Sequence, residues 1–104
     1  MRTRPELKPK PPRMGDARPL VLIVDDSAVA RAVIARAVET DGHFLVAGAV
    51  SSAAVALEFL KRTRVDGIVL DLEMPGVSGL AALPGLIAAG QGAKVLIVSS
   101  AASE

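Results

Sequence analysis

Three short apolar runs, each ending on residues that can carry chemistry, constrain this sequence more than any other feature. Leu20-Val21-Leu22-Ile23-Val24 runs into Asp25-Asp26, Gly67-Ile68-Val69-Leu70 into Asp71, and Lys94 to Val98 into Ser99-Ser100. Continuous apolar runs of this length suit parallel strands buried on both faces. The stretches between them have helical spacing. Ser27 is placed to cap a helix through Thr40, with Ala30, Val33, Ile34, Ala37 and Val38 on its inner face and Arg31 and Arg36 outside. Asp41-Gly42 supplies its stop, since glycine accepts the left-handed conformation. Phe44 to Ala47 reads as a further strand. Ser51 or Ser52 opens a second helix, with Val55, Ala56, Phe59 and Leu60 on one face and the cations of Lys61-Arg62-Thr63-Arg64 in its last turn, where the helix dipole favours them. A third, apolar helix is expected from Ser78 to Ala89, and Pro84 should kink or split it.

The order is therefore βαβαβαβ, which argues for a doubly wound parallel α/β sheet. Ligands of such sheets collect at the carboxyl ends of the strands, and that rule singles out Asp25, Asp26, Asp71 and Ser99. Three carboxylates converging on one edge repel one another, so a proton or a cation must relieve them. Magnesium is the natural partner, because it takes oxygen ligands and keeps several waters. A carboxylate beside magnesium can also accept a phosphoryl group, and a serine hydroxyl on the next strand can donate to it. The competing reading, strand-end aspartates that merely cap helices, is strong for one aspartate and weak for three on one edge.

What the composition excludes narrows the field. Cysteine is absent and His43 is the single histidine, which removes disulfides, thiol catalysis and multi-histidine metal sites. Only Phe44 and Phe59 are aromatic, so the core must be aliphatic. No apolar run approaches the roughly 18 residues of a membrane span, and the amino terminus lacks the apolar stretch of a signal peptide. A cytoplasmic protein with no membrane partner is expected. Residues 1–19 hold six basic and two acidic side chains and five of the seven prolines, and read as a disordered basic tail. No aromatic residue interleaves those charges, which argues against a nucleic-acid partner. Residues 20–104 are left as the one folded domain.

Residues 21–27 (VLIVDDS), 66–75 (DGIVLDLEMP), 78–80 (SGL) and 95–100 (VLIVSS) together resemble a response-regulator receiver domain, over about residues 19–102. The resemblance is greatest to the receiver of the chemotaxis protein-glutamate methylesterases. It implies a flavodoxin-like fold, with Asp71 as the phosphoacceptor and a histidine kinase as the phosphodonor. It further implies Mg²⁺ held by Asp26 directly, by Asp25 through water, by Asp71 and by the backbone carbonyl of Glu73, and Ser99 as the switch hydroxyl. The family's fifth strand and helix, with their lysine and aromatic switch residue, are not in this sequence, and Ser78 stands where the family usually has Asp. Lys94 cannot replace the lysine, because it lies five residues before Ser99, roughly 16 Å away at strand rise.

Three functional readings follow. The first is a phosphoacceptor receiver of a two-component phosphorelay. The second is the regulatory amino-terminal part of a protein-glutamate methylesterase, since nothing here forms an esterase site. The third is a receiver-like dimerisation module that does not switch. In the sheet order 2-1-3-4 that the resemblance implies, strand four would be an open edge, and self-association through it is expected. A haloacid-dehalogenase-type phosphatase wants Asp-x-Asp, which Asp71-Leu72-Glu73 does not match. His43 lacks a visible orienting partner, Met74 reads as loop packing and Gly79 as backbone geometry at a helix start.

Overall fold

The computed structural model describes residues 17–71 and 79–98, with the backbone only at 79 and 80. Its elements are β1 (Leu20–Val24), α1 (Ala28–Asp41), β2 (Leu45–Val50), α2 (Ala53–Arg62), β3 (Gly67–Asp71), α3 (Gly79–Gly90) and β4 (Lys94–Val98). All strand pairs are parallel, in the order β2-β1-β3-β4, so β1 and β3 are central. The four-stranded, three-helix α/β architecture is the one read from the apolar runs.

Alternation along the central strands divides the core in two. Leu22, Val24, Ile68 and Leu70 point to one face, where Ala56 and Leu60 of α2 and Leu86 of α3 cover them. Val21, Ile23 and Val69 point to the other, where α1 sets Ile34, Ala35 and Val38 against them. Period-two strands carrying period-3.6 helices on both faces produce this layering.

The helix ends follow their capping chemistry. The Ser27 hydroxyl accepts from the Ala30 amide at 3.1 Å, and the Ser52 hydroxyl from the Val55 amide at 3.2 Å. Ser52, rather than Ser51, is therefore the second cap. Gly42 closes α1 at φ 83°, a left-handed conformation that costs glycine nothing. Arg18 donates to the Gly42 carbonyl and the Pro19 carbonyl accepts from Leu45, while residues 1–16 of the basic segment lie outside the described residues.

Several local expectations are corrected. Val33 is 61% exposed and Ala37 is exposed, so α1 is rotated from the expected face and packs through Ile34, Ala35 and Val38. Val55 is likewise exposed, leaving Ala53, Ala56 and Leu60 as the buried residues of α2. Phe44 lies before β2, which continues instead to Val50. Its register slips between Val21 and Leu22 of β1, leaving Ala47 as a bulged residue. Pro84 does not split α3; its ring is exposed, and the bond it cannot donate is a single one, to the first turn.

Leu86 is fully buried between α3 and the sheet. Leu86→Ala should cost about 2–5 kcal/mol through lost burial and a cavity. Ser52→Ala, which removes one cap, should cost about 1 kcal/mol. Urea unfolding of the two variants beside the unchanged chain measures both, and equal costs would show that α3 is not anchored through Leu86.

Candidate functional site

Parallel pairing fixes where the carboxylates meet. Val24 of β1 stands beside Leu70 of β3, so the residues that follow them, Asp25 and Asp71, emerge together at the carboxyl end of the sheet. Asp26 is the next residue in the turn to α1. One carboxylate oxygen from each of Asp25, Asp26 and Asp71 lies within 4.8 Å of the others. Asp25 and Asp71 are only 4% and 5% exposed, whereas Asp26 is open to solvent.

Asp25 is held on every side. Its amide donates to the Val50 carbonyl of β2 at 3.0 Å, and its Oδ1 accepts from the Ser27 amide at 2.9 Å. Its carbonyl accepts from Arg31 Nη1 at 2.7 Å. Burial pushes the Asp25 carboxyl above its ordinary range; the Ser27 amide pulls the other way, and the charges of Asp71 and Asp26 add to the rise. Hard oxygen donors, mutual repulsion and partial burial suit a small divalent cation, and these three residues could hold one.

The sequence reading is thus met by the structure at Asp25, Asp26 and Asp71, which do come together. Glu73, Met74, Ser78 and Ser99 lie outside the described residues; Ser99 directly follows Val98, the β4 neighbour of Asp71. Lys94 begins β4, at the opposite end of the sheet from Asp71. His43 does have an orienting partner, Asp41 at 2.7 Å, and its contact is the first cause holding the Asp41 carboxyl below its usual range. That pair is exposed between α1 and β2, at the amino end of the strands, and takes no part in the acidic cluster.

Arg31 is the residue that the sequence reading missed. Its charge assigns it to the outer face of α1, yet it reaches the end of β1. The available signal was its position in the first turn of α1, because helical side chains tilt toward the helix amino terminus. A groove of about 750 Å³ lies elsewhere, on the α1 side at the amino end of the sheet. Its floor includes Val21, Val69 and Leu96, and none of the three aspartates lines it. No helix among the described residues is long and apolar enough to cross a membrane.

Residues 21–104 match the family model for the response regulator receiver domain. A protein-glutamate methylesterase/protein-glutamine glutaminase of Rhodospirillum centenum is 44% identical over 80 residues, which are 77% of this chain and 20% of that protein. The chain thus spans about a fifth of the length of the first curated relatives it matches. The response regulator domain of Thermotoga maritima CheB is 33% identical, with a TM-score of 0.71 over 84% of this chain and 64% of that one. A response regulator protein from Burkholderia pseudomallei, solved with a phosphorylated aspartic acid, a calcium ion and citrate, is 25% identical. Its TM-score is 0.69, over 82% of this chain and 49% of that one.

A carboxyl whose pKa is higher folded than unfolded costs the folded state stability at pH above both values, and that cost fades as pH falls through them. In metal-free buffer, Asp25→Asn should therefore raise the melting temperature at pH 7, and the gain should shrink as pH falls into the ordinary carboxylate range near 4. Thermal unfolding across that range checks the sign. A variant less stable than the unchanged chain at pH 7 would show that the Asp25 contacts outweigh its repulsion.

Proposed function

For a chain that belongs to the response regulator receiver domain family, we propose that Asp71 accepts a phosphoryl group from a histidine kinase, at a Mg²⁺ site made by Asp25, Asp26, Asp71 and the backbone carbonyl of Glu73. The observation that carries this reading is the approach of three carboxylates to within 4.8 Å at the carboxyl end of the sheet. The phosphorylated aspartic acid of the Burkholderia pseudomallei regulator supports it.

The chemistry assigns each residue a task. When bound, Mg²⁺ supplies positive charge to the carboxylates and the incoming phosphoryl oxygens. An Asp71 carboxylate oxygen bonds to phosphorus as the donor's N–P bond breaks, and the departing imidazole takes up a proton. Asp25 and Asp26 offer carboxylate oxygens to the cation. The Ser99 hydroxyl donates to a phosphoryl oxygen of the product. Preorganised donors around a charged transferring group are worth more in a partly buried site than in water.

Similarity to protein-glutamate methylesterases supports a place for this receiver in regulating such an enzyme in chemotaxis. In that reading the basic segment of residues 1–19 is a tail with no partner molecule of its own, joined to the fold where Arg18 and Pro19 bond to Gly42 and Leu45. A second reading, self-association, is favoured by β4. Among the described residues it pairs only with β3, and Leu96 and Ile97 are 62% and 42% exposed. The other sheet edge, β2, is interrupted by the bulge at Ala47, which blunts strand pairing. In an antiparallel pair of β4 strands centred on Leu96, Lys94 of each copy faces Val98 of the other, so the cations do not meet.

Incubation with Mg²⁺ and a small phosphodonor should add one phosphoryl group, lost in Asp71→Asn. Labelling that persists in that variant would overturn Asp71 as the acceptor. Thermal stability should rise with added Mg²⁺, as expected of a ligand of the native state, and the rise should vanish in Asp26→Ala. Light scattering should find a dimer that Ile97→Lys converts to monomer. A monomer at high concentration, unchanged by that substitution, would exclude pairing through β4.

A further inference from the structure

Of the contacts around the acidic cluster, one comes from a side chain with no carboxylate to ligate and no phosphoryl group to meet. Arg31 leaves the first turn of α1, is partly buried, and donates from Nη1 to the Asp25 carbonyl at 2.7 Å. The amides of Ser27 and of Asp25 itself restrain the same residue. A backbone amide cannot be varied without moving the chain, whereas the Arg31 bond depends on side-chain identity and uses no carboxylate of the cluster.

The bond is short for N–H···O and has an ionised donor, which places it among the stronger hydrogen bonds. It joins the end of β1 to α1 across the turn that carries Asp25 and Asp26. The Val50 carbonyl ties the same residue to β2. Three elements thus meet at one residue, whose carboxylate points at Asp71 while its backbone is held. Arg31 bonds the carbonyl oxygen and leaves the carboxylate oxygens to the site.

Rigidity at this turn bears differently on different cations. Mg²⁺ demands nearly octahedral oxygen geometry at about 2.0–2.1 Å, while Ca²⁺ accepts looser shells at about 2.3–2.6 Å. We propose that Arg31 is a positioning residue that sets the ion preference of the acidic site, clamping the β1–α1 turn so that the carboxylates suit Mg²⁺ over Ca²⁺. This rests on the reading of the cluster as a divalent-cation site. A guanidinium suits the task because its planar fork keeps its direction, where an ammonium is a flexible point donor.

The test is calorimetric titration of the full chain with Mg²⁺ and, separately, Ca²⁺, for the unchanged protein, Arg31→Met and Arg31→Lys. Circular dichroism in metal-free buffer establishes that each is folded. Arg31→Met keeps the apolar stem and removes the donor. Its Mg²⁺ affinity should fall about 10-fold, the lower end of what outer partners of metal ligands contribute. Its Ca²⁺ affinity should fall clearly less, and Arg31→Lys should lie between. Unchanged Mg²⁺ affinity in Arg31→Met overturns the proposal, as does an equal loss of both ions, which marks a general structural prop. Should Arg31→Met not fold, Arg31→Lys decides, since an unchanged ratio of the two affinities there also overturns it. An unchanged protein that binds neither ion refutes the cation site itself, a failure distinct from that of Arg31.

Discussion

The insertion of β1 between β2 and β3 is the constraint on which the rest depends. Leu22, Ile23 and Val24 are fully buried because a helix covers each face of the strand and a neighbouring strand lies along each edge. Parallel pairing brings strand ends of like polarity to the same edge, so the residue after Val24 must emerge beside the residue after Leu70. Two carboxylates are forced into near contact and out of water by a pairing that the aliphatic side chains drive. The apolar interior thus sets the geometry of the polar site.

That arrangement opposes itself electrostatically, and the local structure offsets part of the cost. The Ser27 amide that donates to Asp25 lies at the start of α1, where unpaired amides give the helix a partial positive charge. Ser27 has two roles there, since its hydroxyl caps the helix while its amide restrains the carboxylate. The repulsion that remains among Asp25, Asp26 and Asp71 is what a divalent cation would relieve.

Strand identity and the three aspartates were legible because apolar runs ending in acid have few other solutions in a parallel sheet, whereas the sheet order was implied only by the resemblance to receiver domains. The caps were legible for the same local reason: Ser27, Ser52 and Gly42 have chemistry that suits little else in those places. The face of α1 was not. Ala28, Val29, Val33, Ile34, Ala37 and Val38 make the helix apolar on more than one side, and only docking on Val21, Ile23 and Val69 selects Ile34, Ala35 and Val38. Val55 and Phe44 were misplaced because periodicity reports which residues are apolar and not which of them a neighbour covers. Arg31 was missed because charge alone assigns a residue to solvent, although a long side chain in a first helical turn reaches back over the preceding loop. Glu73 and Ser99 lie outside the described residues, so their placement adds nothing to that comparison.

The order of the strands also has a kinetic side. β1 meets β2 across one helix, but it meets β3 only after a complete further βα unit, so Asp25 and Asp71 are brought together by the more distant of its two pairings. Closing the longer loop is the entropically slower step, and contacts of high sequence separation tend to lower folding rates. Asp25 and Asp71 confront each other only where β3 docks beside β1, so their repulsion acts on that docking and leaves the local β1–α1–β2 unit alone. Ionic conditions that screen the cluster would therefore ease the closing of the sheet without touching its first βαβ unit.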